Sequence, residues 1–129
     1  MIFFDKNTAI AVVGASHQSA KYGYKVFAYL LNNGYQVAPV NHRGGRLLNQ
    51  VVYRWLKDIP FPIKMVVMVV SPSASLQILK EMTALQIRQV WFQPGSENSE
   101  LIEFCQNNQL DYQTNFCIML TNSRQTSLG

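Results

Sequence analysis

Acidic side chains are scarce in the first half of this 129-residue chain, where only Asp5 and Asp58 stand against eight lysines and arginines. Charge is sparse throughout, at 14% of residues, and no low-complexity tract is present, which excludes a disordered polyelectrolyte. Long apolar runs are missing too: the strongest, Met65 to Val70, is far too short to cross a bilayer. Ile2, Phe3 and Phe4 open the chain without a basic segment or a small-residue cleavage site, so a cytoplasmic protein without a membrane partner is expected. The two cysteines, Cys105 and Cys117, have neither metal-ligand spacing nor the number a disulfide framework needs, and both are expected to be reduced and structural. His17 and His42 are the only histidines, and no acid or nucleophile is spaced from them as a catalytic triad requires. Tryptophans and tyrosines do not interleave with basic residues, so a nucleic-acid partner is not expected.

What is present is a globular composition, 48% hydrophobic, in a length suited to one domain. The net charge of +4 is uneven: residues 1–64 carry +6 and residues 65–129 carry −2. A basic first half points to an anionic partner.

The pattern of apolar residues alternates between two periods. "TAIAVVG" (Thr8–Gly14), "YQVAPV" (Tyr35–Val40), "MVVMVV" (Met65–Val70) and "RQVWFQPG" read as short strands buried on both faces. Between them, "YGYKVFAYLLNNG" repeats Val26, Phe27, Leu30 and Leu31 at helical spacing and stops at Asn33-Gly34. "SPSASLQILKEMTALQ" and "SENSELIEFCQNNQ" predict two further helices, and "FCIML" a last extended piece before a polar tail at residues 121–129. The stretch "NHRGGRLLNQVVYRWLKDIPFP" is less regular and reads as a loop with a helix through Val52 to Lys57. Such alternation predicts one Rossmann-like, doubly wound α/β domain over residues 1–120, a mostly parallel sheet with helices on both faces. Pro39 confines the last part of the second strand to an edge or an exit from the sheet.

In such sheets ligands gather beyond the carboxyl ends of the strands. Four strand ends carry small, polar or turn-forming residues: Gly14-Ala15-Ser16, Val40-Asn41-His42-Arg43, Ser71-Pro72-Ser73 and Gln93-Pro94-Gly95. Gly14 permits a sharp turn and a close approach, and the helix that follows presents unpaired N–H groups to an anion, with Ser16, Ser19 and Lys21 as added donors. The dinucleotide fingerprint would place its later glycines at Ser16 and Ser19, so the loop is not a standard nicotinamide site. The second strand lacks the terminal carboxylate that accepts from ribose hydroxyls and offers Asn41, His42, Arg43 and Arg46 instead. A ribose that bears its own phosphate fits this set, which leaves a coenzyme A-like or an NADP-like nucleotide.

The segments "VVGAS" with "KYGYKVFAYLLNNGYQVAPVN", then "LKDIPFPIKMVVMVV" and "VWFQPG", resemble in that order the small stand-alone CoA-binding proteins. These are similar to the CoA-binding domain of the succinyl-CoA synthetase alpha subunit. The resemblance implies a Rossmann-like domain that binds coenzyme A or an acyl-CoA along the rim of strand ends. Gly14, Ala15, Ser16 and Lys21, with Tyr22 beside them, would hold the diphosphate; Val40, Asn41 and Arg43 would sit by the adenosine and its 3′-phosphate. Val70, Ser71, Pro72, Gln93, Pro94 and Gly95 would line the adenine edge or the pantetheine path. The resemblance also implies no ligase activity for this segment, because that reaction draws on a second domain with a phosphorylated histidine. A non-catalytic binding or regulatory module is the expectation, and an NADP-dependent oxidoreductase or redox sensor the alternative.

Overall fold

A computed structural model describes residues 2–120; the polar tail at 121–129 lies outside the described residues. Five short strands form one parallel sheet: β1 (Ile10–Val13), β2 (Val37–Val40), β5 (Met65–Met68), β6 (Gln89–Phe92) and β7 (Asp111–Gln113). Two more, β3 (Arg46–Leu47) and β4 (Gln50–Val51), make a small antiparallel hairpin. The helices are α1 (Tyr22–Asn32), α2 (Pro72–Ala84) and α3 (Ser99–Asn107), with one 3-10 turn at Leu56–Asp58.

The order in the large sheet is β2-β1-β5-β6-β7, with Ile10 paired to Val37 on one side and to Met65 on the other. Every residue of β1, β2 and β5 is buried, as the unbroken apolar runs predict for strands covered on both faces. Alternate residues supply two cores. Ile10, Val12, Met65, Val67 and Trp91 pack on Val26, Phe27 and Leu30 of α1, with Phe4 and Ile118 closing that face. Ala11, Val13, Val66, Met68, Val90 and Phe92 pack on Leu79 and Met82 of α2 and Leu101 and Cys105 of α3. The sheet is thus a doubly wound α/β layer with helices on both faces, as expected.

Local signals end the helices where the sequence places them. Gly34, at φ +85°, closes α1 with its N–H on the Leu31 carbonyl, and Asn98 caps α3 by accepting from the N–H of Leu101 at 2.9 Å. Pro39 does lie in an edge strand of the main sheet.

Two expectations are corrected. Val52 to Lys57 do not form one helix: Val52 to Trp55 are not helical, and only Leu56 and Lys57 enter the 3-10 turn. Leu48 and Asn49, at φ +48° and +65°, turn the chain into the β3–β4 hairpin, and the Val51-Val52-Tyr53 run continues extended. Tyr53 donates its N–H to the Pro39 carbonyl and accepts from the Asn41 N–H, both at 2.9 Å, so β2 captures the backbone groups that a helix needs. The last strand is Asp111–Gln113, upstream of "FCIML". Trp91 Nε1 donates to the Phe116 carbonyl at 2.9 Å, and the buried Gln93 side chain takes the Ile118 N–H at 2.8 Å. These bonds bend the segment away from the sheet edge, and residues 118–120 are helical.

Candidate functional site

The chain leaves β1 for β2 on one side and later returns to β5 on the other, so strand order reverses at β1 and opens a crevice above the β1 and β5 carboxyl ends. Gly14 sits there at φ +100°, and a Cβ on it would lie 2.7 Å from the Val69 carbonyl oxygen and 2.8 Å from a Val70 methyl. Only glycine allows this approach. Gly23, in the first turn of α1, has the matching role: a Cβ there would collide with the Gly14 carbonyl oxygen. The helix therefore starts directly on the loop.

The loop is tied to the end of β2. Asn41 Nδ2 donates to the Ala15 carbonyl at 2.7 Å, while Asn41 Oδ1 accepts the Arg43 N–H at 2.8 Å. His17 Nε2 lies 3.0 Å from the Gly44 carbonyl, and Ser16 Oγ accepts the Gln18 N–H at 3.1 Å. Asn41 thus spends its side chain on joining two loops.

Two concavities flank that joint. A polar one of about 230 Å³ is lined by Ser16, His17, Gln18, Lys21, Asn41 and Arg43. It holds two cationic side chains and no carboxylate, and it adjoins α1, whose N-terminus has neither a side-chain cap nor an acid in its first turn. Unpaired N–H groups and two cations make this a place for a multiply charged oxyanion. The second, of about 330 Å³, is mostly apolar, walled by Val13, Gly14, Val40 and Val70, by His42 and Trp55, and by Ala74 and Ile78 of α2. Gln77, Glu81 and Arg54 add polar groups at its sides. Trp55 is 45% exposed and meets His42 edge-on, ring centroids 5.1 Å apart. A flat apolar group fits such walls.

The residues expected on the rim fall into three sets. Gly14, Ser16, Lys21, Val40, Asn41, Arg43 and Val70 line one concavity or both, and Ala15 is buried beneath the loop. Ser71 and Pro72 begin α2, the Ser71 carbonyl taking the Ser75 hydroxyl at 3.1 Å. Tyr22, Gln93, Pro94 and Gly95 line neither concavity. Gln93 is 1% exposed and donates to the Tyr22 hydroxyl at 2.9 Å and toward Cys117 Sγ at 3.3 Å. Tyr22 in turn donates to Cys117 Sγ at 2.8 Å; burial, and then the bond to that sulfur, push the Tyr22 hydroxyl up to about 12. Gln93-Pro94-Gly95 closes on itself as a turn, with Ser96 donating to the Gln93 carbonyl.

Sequence reasoning missed Gly23, Arg54, Trp55 and the α2 wall. Residues 74, 77, 78 and 81 do share one helical face, a readable signal. Arg54 and Trp55 reach the site only because the hairpin folds back, which no local pattern announces. Arg46 is spent elsewhere, donating to the Asn49 carbonyl at 2.7 Å. Among the described residues no group of three metal-ligating side chains occurs, and no helix is long and apolar enough to cross a membrane.

Comparison with known proteins bears on the family and the fold. The acetate–CoA ligase (ADP-forming) I subunit alpha of Pyrococcus furiosus is 35% identical over 79 residues, which are 57% of this chain and 17% of that subunit. The chain therefore spans less than a fifth of the length of this curated relative. A conserved hypothetical protein from Pyrococcus furiosus has a solved structure that superposes with a TM-score of 0.84 at 35% identity, covering 88% of this chain and 98% of the other. A hypothetical protein from Pyrococcus horikoshii OT3 superposes at 0.86 with 31% identity, covering 95% and 84%. The family model for a CoA binding domain matches residues 8–123, nearly the whole length, and the chain belongs to that family.

Proposed function

We propose that the chain binds coenzyme A or an acyl-CoA at the β1–β5 crevice, as a binding or regulatory module without catalysis of its own. One observation carries the reading: a cationic, carboxylate-free concavity and an apolar one meet at Asn41, and the nucleotide end of coenzyme A, a diphosphate joined through a ribose to a flat base, would match that pair. Lys21, Arg43 and the first N–H groups of α1 would take the diphosphate. Val40, Val70, Trp55 and Ile78 would enclose the adenine.

Support for a non-catalytic role comes from how the reactive groups are engaged. His17 is bonded to a backbone carbonyl, and burial raises the Cys105 thiol to about 11. Cys117 Sγ receives two neutral donors, neither of which activates a thiolate by positive charge.

Thermal unfolding with coenzyme A, dephospho-CoA and NADP tests the reading. Coenzyme A at a hundred times its dissociation constant should add about 2.7 kcal/mol to the unfolding free energy. A clear shift with coenzyme A, smaller with dephospho-CoA and absent with NADP, is expected. A preference for NADP would replace this reading with the nicotinamide one, and no shift with any nucleotide would reject both. Ser16→Leu, which fills the polar concavity, should abolish the shift while leaving the unliganded melting temperature unchanged.

A further inference from the structure

We infer that Arg54 is the residue that reads the 3′-phosphate, and so restricts the site to nucleotides phosphorylated on the adenosine ribose. The inference rests on the reading above and deepens it. Three arginines lie near the end of β2, and the structure separates their tasks. Arg46 is bound within its own hairpin to the Asn49 carbonyl. Arg43 lines the polar concavity with Lys21 and Ser16, on the diphosphate side of Asn41. Arg54 lines the apolar concavity instead, on the base side, among His42, Trp55 and Val40.

Its guanidinium lies along Gly44, where a Cβ would come within 3.0 Å of Nε and 3.5 Å of the terminal nitrogen. Among the described residues it has no hydrogen-bond or ion-pair partner. Gly44 belongs to the loop that His17 and Asn41 pin to the β1 turn, so the floor beneath the guanidinium is fixed. A ribose bridges base and diphosphate, and with those groups in their two concavities it must cross at Asn41, the residue common to both. A phosphate on its 3′ oxygen then projects beside the crossing, toward the loop at residues 41–45 and the guanidinium over it. An unpaired planar fork at that place is suited to bidentate capture of a phosphate. Glu81 lines the same concavity, and its carboxylate accepts the backbone N–H of Lys57 at 3.4 Å.

Calorimetric titration of the whole chain with coenzyme A and dephospho-CoA, in wild type, Arg54→Ala, Arg54→Gln and Arg43→Ala, tests this. Wild type should prefer coenzyme A. Either Arg54 substitution should shrink the ratio of the two affinities by about tenfold or more, the scale of a lost charged pair. Arg43→Ala should weaken both ligands by similar factors and leave the ratio in place. An unchanged ratio in both Arg54 variants, or a ratio that collapses in Arg43→Ala alone, would overturn the assignment while the coenzyme A reading stands. Failure of the wild type to bind either ligand would overturn that reading and the assignment with it.

Discussion

The two connections that meet at the end of β2 are built on opposite plans. From β1 to β2 the chain takes a tight glycine turn and an eleven-residue helix, and the closest contacts at Gly14 and Gly23 are with backbone carbonyl groups. From β2 to β5 it takes a hairpin, an extended pair on the sheet edge and a 3-10 turn, and what it brings to the rim is side chains: His42, Arg54 and Trp55. The first crossover presents the first backbone amides of α1 beside the glycine turn. The second offers a surface whose chemistry changes with each substitution. The difference teaches that the β1 half of the rim is set mainly by steric fit and the other half by side-chain composition.

Breaking the steric half should have the largest effect. Gly23→Ala puts a methyl group against the Gly14 carbonyl, where backbone must move, and overpacking of this kind costs about 1–3 kcal/mol. Urea unfolding should show that loss, and coenzyme A should no longer shift the transition. A fully stable, ligand-responsive Gly23→Ala protein would contradict the role given to that contact. Lys21→Ala should leave stability alone and weaken coenzyme A by about 1.5–3 kcal/mol, the range for a hydrogen bond to a charged group; unchanged affinity would return Lys21 to the solvated surface. On the composition side, Trp55→Ala should weaken binding by about 1–3 kcal/mol, as loss of a base–aromatic contact does, with no change in unfolding. Trp91 is fully buried, so fluorescence of a Trp91→Phe protein reports on Trp55 and should respond to ligand.

Leu48→Asn sharpens the contrast further. It relieves a left-handed residue in the hairpin turn and should raise stability by up to about 1 kcal/mol without altering affinity, because the turn lies away from both concavities. The smallest effect is expected at high pH. The Tyr22 hydroxyl is raised above its ordinary value, so the folded chain holds a proton that the unfolded chain releases. Its contribution is complete below about pH 10 and declines as pH rises from there toward 12, through the folded value. Tyr22→Phe should flatten that decline in a pH series of melting temperatures.

Legibility differed between the same two regions. The β1 turn, the helix after it and its Asn33-Gly34 stop follow from local pattern, because burial on both faces and a 3.6-residue stripe are written residue by residue. The segment at residues 41–62 reads as loop and helix. Its hairpin depends on two non-glycine residues, Leu48 and Asn49, at positive φ, and its extended part on backbone groups that the β2 edge offers only after the sheet has formed. At the other end of the chain, "FCIML" has the composition of a strand. It is bent into a helical turn by bonds from Trp91 and Gln93, residues about two dozen positions earlier. Gln93 itself looked like a rim residue, and only the assembled core shows its amide consumed by Tyr22, Cys117 and Ile118.

By itself the sequence determined the α/β class, the alternation of elements, the glycine turn after β1 and the absence of a carboxylate after β2. Each of these is a property of neighbouring residues: their volume, their period, their charge. Tertiary structure decided which glycine meets which carbonyl, that Asn41 is a tie between loops, and that Arg54 and Trp55 face the crevice. Those outcomes depend on strand order and on the return path of a hairpin, which bring together groups whose separation along the chain carries no local signal.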